Sequence, residues 1–514
     1  MSGEERGIEV GRTLVRNTAW NYAALAVNMV ANFAVFPVVI RHLGDAAAGI
    51  WLVLGSVTGY MGLLRLGVVP ALSRFVASQL AEGDLEAVNR RASTAMVLVL
   101  GGGSLALLAI PFAPWLATWL HVPPELVDVA PVAIALGIAG FFLQLPGHVF
   151  NALLNGAQRQ DFCSQVWIVS TGVKAIANLL LMAAGFGLLS LLWFDIVLIV
   201  ICDVLLLVML RSAIPTIRFR PDLVRRREAR ELMSFGGLLV IIQSCRLAID
   251  QTDRLVIGAF MTVAMVTYYS AGWKIYVLAY AVPTTMLAAV SPTAGALFGR
   301  GDFDGLRRLF IRTTKYSAAV AWPMMFSLAG CSAIILDLWA GRGFGDYAAV
   351  VHVLLLSFAL TAHNHAGSAI VMAMRRIQPL VWQYEVPQAV LNLALSIWLV
   401  QRMGIVGVAL GTAIPAVALE YFFLRHVLRQ LDVGWLEFWR ESLAPSVVPA
   451  VVAFAPLAWS YWHFGSRALI LIPITIACAL MHVAWFWFVS LGATEREQLL
   501  LHLRWRMPAA VGPA

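Results

Sequence analysis

The sequence predicts an all-α, polytopic membrane fold of about fourteen transmembrane helices, arranged as two six-helix pseudo-symmetric lobes plus two C-terminal helices. Three observations lead there. Of 514 residues, 61% are hydrophobic and 12% charged, about half the charge of a soluble chain, and the mean hydropathy is +0.81. Fourteen apolar runs have roughly the ~20-residue length that spans a bilayer. The basic residues also sort by side. This composition excludes a soluble enzyme, a disordered chain and a disulfide scaffold.

The runs fall near 18–40, 47–72, 93–117, 130–152, 164–187, 189–210 and 235–258. They continue near 265–290, 316–338, 347–372, 380–401, 404–424, 443–463 and 468–490. Ahead of the first, residues 1–16 mix Glu4, Glu5 and Glu9 with Arg6, Arg12 and Arg16. The run behind them is full membrane length without a small-residue cleavage site, so no cleavable signal peptide is expected. An even number of spans puts both termini on one side. That side carries 27 of the 36 basic residues, and the opposite loops carry four: Arg41, Arg342, Arg402 and Arg467. The positive-inside rule then places both termini in the cytoplasm. The net charge of +8 is thus mostly topology, and no nucleic-acid partner is expected. Trp115, Trp119, Trp459 and Trp462 fall at outer edges, and Trp435 and Trp439 at an inner edge, as interfacial belts do. The longest loop, about 211–234, is strongly basic; it reads as a contact for anionic lipid headgroups or as a topology anchor.

The halves echo each other. Gly83-Asp84-Leu85 follows the second run and Gly301-Asp302-Phe303 follows the eighth, 218 residues later. Gln158-Arg159 answers Arg375-Arg376, and Asn178 resembles Asn392 at nearly that offset. Repeats with an even number of spans share one orientation, related by an axis along the membrane normal with a cavity between them. The expected divisions are an N-terminal lobe at 1–215, a C-terminal lobe at 216–430, and two extra helices with a tail at 431–514.

Enzyme motifs are absent: no GxxxxGK[ST], HExxH or GxSxG occurs. The five cysteines are odd in number, scattered and without a CxxC pair, so neither a disulfide framework nor a zinc site is expected. His363-Asn364-His365 could ligate a metal, but no acidic or cysteine partner is evident nearby. It reads as polar residues in a pore-facing or packed helix. No cofactor is expected.

Polar residues inside spans cost about 2.5–3.5 kcal/mol each for the charged types, so their pattern is informative. Asn17, Asn21, Asn28 and Asn32 share one face of the first span. Gln243, Arg246, Asp250, Asp253 and Arg254 lie in the seventh, and the repeat offset carries Asn28 onto Arg246 and Asn32 onto Asp250. Two such faces would line a central cavity; alternatively, Arg246 and Asp250 form an i,i+4 pair that joins helices. Arg254, near the outer end, reads as snorkelling. Lys174 and Lys274 lie at mid-depth and Arg65 about a third of the way in. Each needs a carboxylate, a water-filled cavity or an anionic ligand such as pyrophosphate.

Arg41-His42-Leu43-Gly44 with Gly49-Ile50-Trp51 resembles the first-loop signature of bacterial Wzx-type polysaccharide flippases. Gly156-Ala157-Gln158-Arg159 resembles their loop after helix four. Asp253-Arg254-Leu255-Val256-Ile257-Gly258, with Tyr268-Tyr269-Ser270-Ala271, resembles the start of their second half. The chain is therefore similar, in helix count, repeat and motif order, to the multidrug, oligosaccharidyl-lipid and polysaccharide exporter superfamily. One departure is Leu64-Arg65-Leu66-Gly67, where many relatives read Leu-Asp-Leu-Gly, so the role of that acid does not carry over. The resemblance implies a non-enzymatic flippase in the bacterial cytoplasmic (inner) membrane. It would move a polyprenyl-pyrophosphate-linked oligosaccharide by alternating access, with membrane lipids, polymerases and glycosyltransferases as partners. Arg246, Lys274, Lys174 and Arg65 would hold the pyrophosphate. Asn28, Asn32 and Tyr276 would meet sugar hydroxyls. Asp250, with Asp253 beside it, is the expected ion-coupling acid. Alternatives are a drug/cation antiporter or a peptidoglycan-precursor flippase of the same superfamily, or a membrane glycosyltransferase or polymerase. The last usually needs a sizeable outer loop, which this chain lacks.

Overall fold

The computed structural model describes residues 3–65, 67–234, 237–286, 290–374, 377–465, 467–492 and 495–497. Every regular element among them is helical. The first stretch contains α1 (Gly3–Met61), α2 (Val68–Glu82), α3 (Leu85–Leu107), α4 (Ala113–Trp119), α5 (Val129–Leu143), α6 (Leu145–Gly156), α7 (Gln160–Ala183) and α8 (Leu188–Ala213). The short α9 (Arg226–Ser234) precedes α10 (Gly237–Phe260), α11 (Val263–Met286), α12 (Val290–Gly299), α13 (Phe303–Trp339), α14 (Ala348–Leu360) and α15 (Asn364–Ala373). The chain continues through α16 (Leu380–Gln430), α17 (Trp435–Phe464) and α18 (Ala468–Ser490).

Nine helices among the described residues are long and apolar enough to cross a membrane, or ten if a bent pair around 361–364 forms one span. The difference from fourteen apolar runs has physical causes. α16 alone is 51 residues long, about 76 Å at 1.5 Å per residue against a hydrocarbon core of ~30 Å. It is broken at Gly404 (φ 58°, ψ −141°), and α1 is broken at Gly44 (φ 77°, ψ 166°). Both glycines occupy backbone regions that side chains disfavour, so each long helix joins two of the expected runs. α10 packs Arg246, Asp250, Asp253 and Arg254 into nine positions, and α11 carries Lys274 among Tyr268, Tyr269, Tyr276 and Tyr280. Both match expected runs, at 235–258 and 265–290, but their charged and tyrosine-rich content keeps them out of that count.

Lipid is written into the exposure pattern. Trp193, Val197, Val200, Val204 and Val208 on α8 are all exposed, an arrangement that water would penalise and acyl chains would not.

The chain divides into two compact units. One comprises residues 1–271, 339–341 and 388–411; the other comprises 272–338, 342–387 and 412–514. In the first, Phe36, Ile50, Leu72, Ile134, Ile138 and Phe141 are fully buried. In the second, Phe454 packs with Leu457, Leu471, Cys478, Cys331 and Ile334. The repeated Gly-Asp turn appears once in each unit with the same hydrogen bonds. Gly83 has φ 76° and Gly301 has φ 70°. Asp84 Oδ1 accepts the Ala87 N–H at 2.8 Å, and Asp302 Oδ1 accepts the Gly305 N–H at 2.7 Å. Both aspartates are helix N-caps.

Candidate substrate cavity

The first unit holds an open cavity of about 530 Å³ lined by α1, α6, α7 and α8, with Gln144 just before α6 and Trp51 on the second segment of α1. Its polar lining includes Asn28, Asn32, Gln144, His148, Asn151, Lys174, Asn178, Asp195 and Asp203. A second, smaller cavity of about 350 Å³ shares Asn151, Cys163 and Trp167 with it and adds Asn155, Gln160 and Ser164. Each amide comes from a helix whose other faces are apolar, so the polar residues converge by helical spacing. Asn28 and Asn32 are one turn apart, and Asn32 Nδ2 donates to the Asn28 carbonyl at 3.0 Å and to its Oδ1 at 3.1 Å. Asn155 Nδ2 donates to Asn151 Oδ1 at 2.8 Å.

Two carboxylates belong to this wall. Lys174 Nζ donates to Asp195 Oδ2 at 2.7 Å. Of the partners that the sequence leaves open for Lys174, the structure supplies a carboxylate from the next helix. α7 and α8 form a hairpin around residues 184–187, so positions at similar distances from the turn meet. Asp203 Oδ2 accepts the Gly147 N–H at 3.2 Å. A Cβ at Gly147 would lie 2.0 Å from Asp203 Oδ1, so only glycine lets the carboxylate approach. The Asn178 Oδ1 and Asp195 Oδ1 atoms are buried and accept no hydrogen bond from any described residue.

The remaining expected site residues lie elsewhere. On α10, Asp253 is 1% exposed and accepts the Tyr269 hydroxyl hydrogen bond, whereas Asp250 is exposed. Arg254 does not snorkel: its Nη1 donates to Gln251 Oε1 at 3.1 Å and to Ser56 Oγ at 3.4 Å. Arg246 is half-buried on the same helix. Lys274 and Tyr276 belong to the second unit, where the Tyr276 ring lies 5.0 Å from Trp273 and 5.8 Å from Tyr280. Arg65 ends the turn Gly62–Arg65; its side chain, with those of Asn17 and Asn21, lies outside the described residues. His363 Nε2 lies 2.8 Å from Glu420 Oε1, a partner distant in sequence that the reading of His363-Asn364-His365 missed. No metal-ligating cluster occurs among the described residues.

Sequence reasoning also missed Gln144, His148, Asn151 and Asn155. Their spacing of four, three and four puts them on one face of a single span, the same signal that found Asn28 and Asn32. The loop motifs prove structural. Gly156 lets α6 approach α2, since a Cβ there would lie 2.8 Å from the Ser73 carbonyl. Arg159 pairs with Asp161 at 3.1 Å and covers the Phe162 ring.

A polytopic helical fold with a polar chamber inside apolar walls defines a membrane transporter class, and solved structures share the helical fold. The lipid II flippase MurJ aligns with TM-score 0.70 at 14% identity over 92% of this chain and 99% of its own. A multidrug resistance MATE family transporter of the MOP superfamily aligns with TM-score 0.67 at 15% identity, over 80% of this chain and 98% of its own. The polysaccharide biosynthesis protein family model matches residues 61–349, more than half of the sequence, and the chain belongs to that family. A Shigella flexneri protein assigned as an O-antigen transporter is 20% identical over 80% of this chain and 98% of its own length. A Haloferax volcanii protein described as flippase AglR is 21% identical over 78% of this chain and 80% of its own.

Proposed function

We propose that the protein flips a polyprenyl-pyrophosphate-linked oligosaccharide across the bacterial cytoplasmic membrane, without a chemical step, for surface polysaccharide assembly. The observation that carries this reading is the amide- and tryptophan-lined chamber among helices whose outer faces are lipid-compatible. Carboxamides offer paired donors and acceptors to vicinal hydroxyls, and Trp51 and Trp167 offer flat apolar faces to sugar rings. The family and the transporters similar to this chain support the same reading. Asn28 and Asn32 are proposed to bind the glycan. Lys174 lines the same chamber, but Asp195 compensates its charge. Arg246, Arg65 and Lys274 are each proposed to attract the pyrophosphate, and Tyr276 to meet sugar. Asp250 is the proposed coupling acid, because it is exposed while Asp253 is buried against Tyr269.

The test is a proteoliposome assay with a fluorescent lipid-linked oligosaccharide present in both leaflets and a membrane-impermeant quencher outside. Protein-free liposomes lose the outer-leaflet half of the signal. The protein should extend quenching towards completion, and Asn32→Leu should slow the added phase at least tenfold. Quenching that stops at the protein-free level with monodisperse protein would reject the reading.

A further inference from the structure

Resting on the flippase reading, we propose that the first-unit chamber is a subsite for an uncharged, hydroxyl-rich glycan that disfavours acidic sugars, with Asp203 as the selecting residue. Two independent observations point there. The first is charge. Lys174 and Asp195 neutralise each other at 2.7 Å, and among the described lining residues Asp203 is the remaining carboxylate and no second Lys or Arg occurs. The chamber therefore has no net positive charge, and a uronate or phosphate entering it meets a carboxylate in a poorly screened space. The second is hydrogen-bond polarity. Of the buried lining atoms that no described residue hydrogen-bonds, Asn178 Oδ1 and Asp195 Oδ1 are obligate acceptors, while His148 Nε2 takes either role with its tautomer. A sugar hydroxyl donates to such acceptors, whereas an ionised phosphate or carboxylate only accepts.

The fold holds Asp203 in place from a neighbouring helix. The Gly147 N–H fixes one oxygen, and the missing side chain at Gly147 makes room for the other. The pyrophosphate of a lipid-linked substrate accordingly lies outside this chamber, and the chamber reads the sugars.

The experiment uses the full chain in nanodiscs and two soluble tetrasaccharides of matched size, one neutral and one containing a single uronate. Titration calorimetry should show the neutral probe binding at least tenfold more tightly. Asp203→Asn should bring the two within threefold by improving the acidic probe, and Asn178→Leu should weaken the neutral probe at least tenfold. Equal or tighter binding of the uronate probe by the unsubstituted protein would overturn the proposal, as would no binding of the neutral probe. The liposome assay is run beside it with neutral and acidic lipid-linked oligosaccharides. Equal flipping of both refutes charge selection and leaves the flippase reading intact, while flipping of neither refutes the reading itself.

Discussion

At the scale of single residues, the Lys174–Asp195 pair has the clearest energetic consequence. Breaking a fully buried pair costs about 3–5 kcal/mol because one charge is left without compensation. Here the lysine side chain is 42% exposed and the aspartate 19%, so the expected loss for Lys174→Gln is smaller, about 1–2 kcal/mol. Lys174→Gln combined with Asp195→Asn removes both charges and should recover most of that loss. Thermal unfolding of the three variants in one detergent measures this coupling, and strictly additive losses would refute it. That Lys174 sits in a polar environment was readable, since a mid-span ammonium requires one. Its partner was not read, because reading it needs the α7–α8 hairpin register. The role of Asp203 depends on Gly147, 56 residues away in the chain.

Among elements, the basic segment after α8 is more ordered than a loop of that composition suggests. α9 is bound to α3. Arg91 donates to Glu228 at 2.6 Å and to Glu231 at 2.7 Å, Asn89 Nδ2 donates to the Thr216 carbonyl, and the Arg225 N–H donates to Thr94 Oγ1. Hydrogen bonds from Arg227 and then Arg91 hold the Glu231 carboxyl below the usual carboxylate range. A lowered value in the folded state means the stabilisation is present above the ordinary value near ~4.3 and disappears as pH falls through the lowered one. Backbone exchange over 226–234 should thus be protected at neutral pH and lose protection below about pH 4. Arg91→Ala should reduce the neutral-pH protection roughly tenfold, the effect of about 1.4 kcal/mol from two partly screened charge-assisted bonds. Unchanged protection in that variant would mean that the segment is held by its backbone contacts alone.

For the whole molecule, the 27-to-4 distribution of basic residues predicts that both termini and residues 211–234 face the cytoplasm. In a chain with its five cysteines replaced, a cysteine at Arg342 should react with an impermeant maleimide in intact cells, and one at Arg226 should react only after lysis. Labelling of position 226 in intact cells would invert the topology. This asymmetry is legible from sequence because membrane insertion reads flanking charge locally. The number of spans was less so. The breaks at Gly44 and Gly404 join runs into long helices, and the charges of α10 leave it less apolar than its neighbours.

The sequence by itself determined that the fold is helical and multi-pass, because hydropathy and flanking charge are local properties; the internal repeat read from the Gly-Asp turn is an expectation. It also placed Asn28, Asn32 and Lys174 at a polar site, since carboxamides and an ammonium in lipid must face one another, water or ligand. Only the tertiary structure decided which residues share the chamber, that Asp195 compensates Lys174, and that Asp253 and Arg254 are occupied by Tyr269, Gln251 and Ser56. Those outcomes depend on helix register and on close approaches such as Asp203 against Gly147, set by packing between segments far apart in the chain.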